Sequence, residues 1–278
     1  MISRSSNKKM WACRLLCDQL WSLKFYNEAI SDTCKPDTDT SERTVFATSQ
    51  EVLIMNGNMT ELVFILDRSG SMSGLEDDTI GGFNGMLKKQ KEEGENVNVT
   101  TVLFDDKVDI IHDRFPIDIV QPLTDKDYYV RGCTALLDAV GEAIHKIENV
   151  EEHLPESHKA SKVIFVITTD GHENSSRNYS YSQLKKMIEA KKEAGWEFLF
   201  LGANIDAVGE AEKLGISRNR AVTYENDKEG VSLNYEVVGS AVRKAVSRKR
   251  SEPAEALFED DWAEEIKEYR VSKKDNQR

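Results

Sequence analysis

The chain has 278 residues, 39% of them hydrophobic, and its 37 basic and 49 acidic side chains sum to a formal charge of −12 at pH 7. That length suits one domain with extensions, and that charge disfavours generic attraction to nucleic-acid phosphates or anionic lipid. No run approaches the ~18 consecutive apolar residues of a spanning helix, so a soluble chain with no membrane partner is expected.

Residues 1–58 differ in pattern from the rest. Trp11, Leu15, Leu16, Leu20 and Leu23 are spaced for one amphipathic helix over Trp11–Ile30, and Ser31–Gln50 is polar, Thr-rich and without periodicity. Lys8 and Lys9 precede the helix, but Arg14, Asp18 and Gln19 interrupt any signal core, so no export signal is read. The segment is expected to be a poorly structured extension, translated from an over-long reading frame whose natural start is Met55 or Met59. Cys13, Cys17 and Cys34 fall here and only Cys133 lies beyond, which is no disulfide framework and fits a reducing, cytoplasmic setting. Three thiolates without a nearby histidine also fall short of a structural zinc site.

From Glu61 the pattern becomes regular. Strands are expected at Glu61–Leu66, Val97–Phe104, Val108–His112, Lys162–Thr168, Glu197–Leu201 and Ala221–Tyr224, with helices at Asp77–Gly94, Ala135–Glu148, Tyr181–Gly195, Ala207–Leu214 and Val231–Arg248. Alternating strands and helices predict an α/β fold, a doubly wound, mostly parallel sheet with helices on both faces, over residues 59–250. The continuous apolar runs Leu62–Leu66 and Val163–Ile167 mark strands covered on both sides. The tail Glu252–Arg278 holds nine acidic and five basic residues. Its Leu257, Trp262, Ile266 and Tyr269 suit either a short docking helix or a frayed end.

Ligands of such sheets bind beyond the carboxyl ends of the strands. The first strand runs into Asp67-Arg68-Ser69-Gly70-Ser71, the fourth into Thr168-Thr169-Asp170-Gly171, and Gly132-Cys133-Thr134 precedes a helix. If these loops converge, they present two carboxylates and three hydroxyls, an all-oxygen set suited to a hard cation such as Mg²⁺. On an extended turn, the Asp-x-Ser-x-Ser alternation would place Asp67, Ser69 and Ser71 on one side.

In these residues the chain resembles the von Willebrand factor type A domain, whose metal-ion-dependent adhesion site combines a D-x-S-x-S motif with a separate Thr and a separate Asp. The resemblance spans roughly Glu61 to Arg248 and includes Asp-Arg-Ser-Gly-Ser-Met, Gly-Cys-Thr-Ala-Leu and Thr-Thr-Asp-Gly-x-Glu-Asn. Phe198–Asn204 followed by Asp206-Ala207 is also similar to stand-alone, intracellular bacterial and phage members. The resemblance implies that Asp67, Ser69, Ser71, Thr134 and Asp170 hold Mg²⁺, with Mn²⁺ or Ca²⁺ possible, and that a protein partner offers an Asp or Glu carboxylate to the metal. In some members that exchange is coupled to a shift of the last helix, here Val231–Arg248.

Other readings compete. Ser69 and Ser71 could cap a helix. His172-Glu173 lacks the second histidine of H-E-x-x-H, since Ser176 stands there, and is read as loop polar groups positioning Asp170. His112, His145, His153 and His158 are expected on the surface, and Cys133 as a small buried side chain. The run Arg243, Lys244, Arg248, Lys249, Arg250 reads as a solvated helix end favourable to the helix dipole. An aspartyl-phosphate enzyme needs an acid–base Asp two residues after the first, where Ser69 stands, and no P-loop or nucleophile elbow is present. The chain is therefore read as a metal-dependent binding module and not an enzyme. The alternative is a Mg²⁺-dependent accessory subunit of an ATPase, chelatase or tellurite-resistance-like complex.

Overall fold

Strand β1 (Thr60–Asp67) is buried along its whole length, which its Leu-Val-Phe-Ile-Leu run can satisfy and an alternating strand could not. The computed structural model describes residues 59–248 and 257–276, all within Ala47–Arg278, one of the two units into which the chain divides. The expected Trp11–Ile30 helix, the Ser31–Gln50 stretch, Cys13, Cys17, Cys34, Met55, Lys249 and Arg250 lie outside the described residues. After β1 come α1 (Glu76–Glu92), β2 (Val97–Phe104), β3 (Val108–Pro116), α2 (Leu136–His153), β4 (Lys162–Thr169) and α3 (Tyr181–Glu193). They are followed by β5 (Trp196–Ala203), α4 (Ala207–Lys213), β6 (Ala221–Tyr224), α5 (Lys228–Ser247) and α6 (Glu264–Asn276).

The sheet order is β3-β2-β1-β4-β5-β6, parallel throughout except that β3 runs antiparallel to β2. This is the doubly wound α/β sandwich that the sequence predicts. Successive residues of β1 feed opposite cores. Leu62, Phe64 and Leu66 pack with Phe83 and Met86 of α1 and Tyr235 and Val242 of α5. Val63 and Ile65 pack with Val140 and Ile144 of α2 and Leu184 and Ile188 of α3. At about 1.5–3 kcal/mol for each large apolar side chain taken from water, these two layers hold the sheet rigid under the loops at its carboxyl edge. The chain winds from β1 outward to β2 on one side, with β4 on the other. The crevice beyond β1 and β4 is therefore the switch point where ligands of such sheets bind.

Four expectations are corrected here. β3 continues to Pro116, and its pairing with β2 slips so that Thr101 opposes His112 while Val102 opposes Ile110. The extra residue Ile111 shifts the alternation. His112 is consequently buried, not on the surface, with Nδ1 2.9 Å from Thr101 Oγ1. Helix α5 begins at Lys228, ahead of the apolar pattern, because the Asp227 carboxylate accepts from the Gly230 amide at 2.7 Å and caps its first turn. Cys133 is exposed, not a small buried side chain.

The tail is docked. Leu257, Phe258, Ala263 and Ile266 are buried in the same core as Leu62 and Val242, and Trp262 Nε1 donates to the Asn219 carbonyl at 2.7 Å. The basic end of α5 is matched by acids, with Arg243 3.9 Å from Glu93, and Lys244 and Arg248 3.7 and 3.3 Å from Glu259. No helix among the described residues is long and apolar enough to cross a membrane.

Candidate metal centre

Asp67 closes β1, and both of its carboxylate oxygens are engaged. Oδ1 accepts from the Ser69 amide at 2.7 Å and Oδ2 from Thr169 Oγ1 at 2.6 Å. After Ser69 the chain does not stay extended, as the alternation suggested. Gly70–Met72 form a turn of 3₁₀ helix, with the Met72 amide donating to the Ser69 carbonyl at 3.0 Å. That turn brings Ser71 back over Ser69, 3.0 Å between hydroxyl oxygens. Ser69 makes no capping hydrogen bond to this turn, so helix capping does not explain it.

The other two loops meet this pair. Thr134 Oγ1 donates to Ser69 Oγ at 3.1 Å, and Ser71 Oγ donates to Asp170 Oδ1 at 2.5 Å. A hydroxyl has one proton and two lone pairs, so with Thr134 donating to Ser69 and Ser71 donating to Asp170, any bond between the two serines is donated by Ser69. Each serine oxygen then keeps a lone pair free. All five residues expected at the site are thus together, with Asp67, Ser69, Thr134 and Asp170 buried and Ser71 exposed.

Residues without a ligand motif hold the loops in place. Buried Arg68 donates to Asp105 at 2.8 Å and pairs with Asp109, and Arg131 reaches the same two carboxylates at 2.6 and 3.0 Å. Burial pushes the Asp105 carboxyl up, but the two arginines with other donors hold it below its usual range. Backbone bonds from Arg131 to the Arg68 carbonyl and from Gly70 to the Gly132 carbonyl, at 2.9 and 3.2 Å, complete the join. Tyr128 donates to the Asp67 carbonyl at 2.6 Å. Beyond β4, Asn174 Oδ1 accepts from the Thr134 amide at 2.9 Å. Glu173 does not position Asp170, as expected for the His172-Glu173 pair. It accepts from the Leu137 amide at 3.0 Å and from Ser175 and Ser176, anchoring the first turn of α2.

Two contacts were not foreseen. Thr169 stands out in the sequence only as part of the strand end Thr168-Thr169-Asp170-Gly171. Asn226, whose Nδ2 donates to Asp170 Oδ2 at 3.3 Å, has no motif spacing, and its one signal is its place just past the carboxyl end of β6.

The donor set fits a hard divalent cation on three observations. First, Asp67 and Asp170 accept only from neutral groups, and burial pushes both carboxyls up, Asp67 to about 6; two buried charges without a cation are what a divalent ion would offset. Second, neighbouring ligands of an octahedral Mg²⁺ stand about 2.9 Å apart when bonds are 2.0–2.1 Å, and the hydroxyl separations of 3.0 and 3.1 Å match that edge. Third, a Cβ on Gly171 would lie 3.0 Å from Thr134 Oγ1 and 3.2 Å from Ser71 Oγ, so this residue leaves clear the space the hydroxyls share. Among the described residues no three His, Cys, Asp or Glu side chains gather to hold a metal. Hydroxyls must complete any shell, and that is not the chemistry of a zinc site.

No family model and no curated protein matches the sequence. Solved structures do. The pilus adhesin SpaC from Lactobacillus rhamnosus GG, in its open conformation, is 12% identical over 67% of this chain and 30% of its own, with a TM-score of 0.52. The von Willebrand factor domain of the type V pili tip protein Mfa5 from Porphyromonas gingivalis is 11% identical over 68% of this chain and 97% of its own, with a TM-score of 0.50. The chain spans 61% of the PilB minor pilin from Streptococcus sanguinis, at 13% identity and a TM-score of 0.47. At these identities the likeness is one of fold, and the described chain has the α/β fold of von Willebrand factor type A domains.

Proposed function

We propose that the chain is a divalent-metal-dependent protein-binding module, in which Asp67, Ser69, Ser71, Thr134 and Asp170 hold Mg²⁺, or Mn²⁺ or Ca²⁺, facing an Asp or Glu carboxylate of a protein partner. The observation that carries this reading is the unbroken run of oxygens Thr134, Ser69, Ser71 and Asp170, its two hydroxyl–hydroxyl separations close to an octahedral edge, beside a second buried carboxylate with no cation of its own. When bound, the ion supplies an electrophilic position for an incoming carboxylate. Asp67 and Asp170 offset its charge, while three neutral hydroxyls leave it attractive to a further anion. Exposed Ser71 and Gly70 form the open side from which a partner would approach.

Two proteins of like fold are a pilus adhesin and a pilus tip protein, which supports adhesion through protein contact as a use of this fold. Ser69 stands where an aspartyl-phosphate enzyme needs its acid–base carboxylate, which supports a binding role over catalysis. The free, exposed thiol of Cys133 supports a reducing compartment such as the cytoplasm.

Calorimetric titration of the full chain with Mg²⁺ tests the metal. One saturable site, lost in Asp67→Ala and Asp170→Ala, is expected. Heat of binding unchanged in both variants would reject the assignment. Capture of partners in Mg²⁺ but not in EDTA, reduced by Thr134→Ala, tests the carboxylate exchange.

A further inference from the structure

The turn Glu225-Asn226-Asp227 joins β6 to α5, and its three side chains divide their attention. The outer two face the C-terminal helix. Arg270 Nε donates to Glu225 at 3.1 Å, Tyr269 Oη donates to Asp227 at 3.1 Å, and Lys273 Nζ pairs with Asp227 at 2.9 Å. The middle one faces the metal centre, with Asn226 Nδ2 on Asp170 Oδ2. Asn226 Oδ1 is buried and accepts no hydrogen bond. Nothing holds the amide from that side, so its position follows the turn, and the turn is gripped by α6.

The grip is firm because α6 is anchored independently. Ile266 and Ala263 are buried in the core beside Leu257 and Phe258, and Arg270, Tyr269 and Lys273 fall on one helical face at spacings of three and four residues around Asp227 and Glu225. Asp227 meanwhile caps α5 through the Gly230 amide. Burial pushes its carboxyl up, yet Gly230, Lys273 and Tyr269 together hold it below the usual range.

We infer that α6 is a strap that sets the affinity of the metal centre, with Asn226 as the positioning residue that transmits its hold to Asp170. This rests on the metal reading above. With Asn226 on Oδ2, the other oxygen of Asp170 stays on Ser71, the orientation in which it faces the hydroxyl cluster. Releasing the strap frees Asp170 to turn away, so the site binds its ion less well. Groups that orient metal ligands through hydrogen bonds typically change affinity by about 10–100-fold when removed. Asn226→Ala should fall near the lower end, since one 3.3 Å bond is lost.

The test is a Mg²⁺ titration of the full chain and of Asn226→Ala, Lys273→Arg and the double variant Tyr269→Phe/Lys273→Ala. The strap predicts a Kd for Mg²⁺ raised about tenfold in Asn226→Ala, raised about threefold or more in the double variant, and unchanged in Lys273→Arg. Simple electrostatics predicts the opposite sign, because removing a lysine makes the region more attractive to a cation. A Kd unchanged or lowered in the double variant therefore overturns the strap. Hydrogen–deuterium exchange without metal separates this from failure of the metal reading. If the unmutated chain binds no Mg²⁺, the function proposed above is wrong, while faster exchange of residues 168–174 in the double variant still supports the strap and unchanged exchange there rejects it.

Discussion

Asp67 carries two opposed demands. Its carboxylate is 1% exposed and accepts only from Ser69 and Thr169, so its charge is poorly solvated when no cation is near. An amide in its place keeps the shape without the charge. Asp67→Asn should therefore stabilise the metal-free protein at pH 7.5 and at the same time remove the gain from Mg²⁺, a pairing that thermal unfolding in EDTA and in Mg²⁺ would show. A simple loss of stability in both media would speak for a purely structural Asp67. Gly171 gives a complementary prediction. Gly171→Ala adds a methyl 3.0 Å from Thr134 Oγ1 and 3.2 Å from Ser71 Oγ, closer than ordinary contact. It should cost Mg²⁺ affinity about tenfold or more, read by the same titration, while the cores of Leu62 and Val63 are untouched.

Elements decide how much of this could be read from the chain alone. The five proposed ligands were legible because each lies at the end of a strongly apolar strand or the start of a periodic helix, and the topology of a doubly wound sheet brings such ends together. Asn226 and Tyr128 were not legible, since their roles come from contacts 56 and 61 residues away in sequence and no local spacing announces them. The burial of His112 was not legible either, since the pairing of β3 with β2 shifts register on both sides of the Thr101–His112 pair and no local spacing announces it. Packing between α1 and α5 is likewise a tertiary fact. Gly82 meets the Tyr235 ring, where a Cβ would sit 2.4 Å from the nearest ring carbon. Gly82→Ala should push these helices apart and cost about 1–3 kcal/mol in denaturant unfolding. An unchanged midpoint would mean that the ring swings aside freely.

For the whole molecule, pH and metal act on the same account of charge. The folded pKa of Asp67 is raised from 3.8 to about 6 by burial, ahead of the opposing bonds from Thr169 and Ser69. A carboxyl raised on folding contributes stability that is full below its unfolded pKa and is lost as pH rises through its folded one. For Asp67 the window is therefore about pH 4 to 6. His112 works in the other direction, because burial lowers its pKa below 6.5 and the folded state is weakened as acid charges it. Comparison with Asp67→Asn cancels the histidine and isolates the carboxylate. Mg²⁺ binds the ionised form, so protons compete with it below about pH 6. The rise in melting temperature caused by Mg²⁺ should consequently be small at pH 5, grow through pH 6 and level off near pH 7.5, and it should be absent at every pH in Asp67→Asn. A Mg²⁺ effect of equal size at pH 5 and pH 7.5 would place the ion away from the buried pair Asp67 and Asp170.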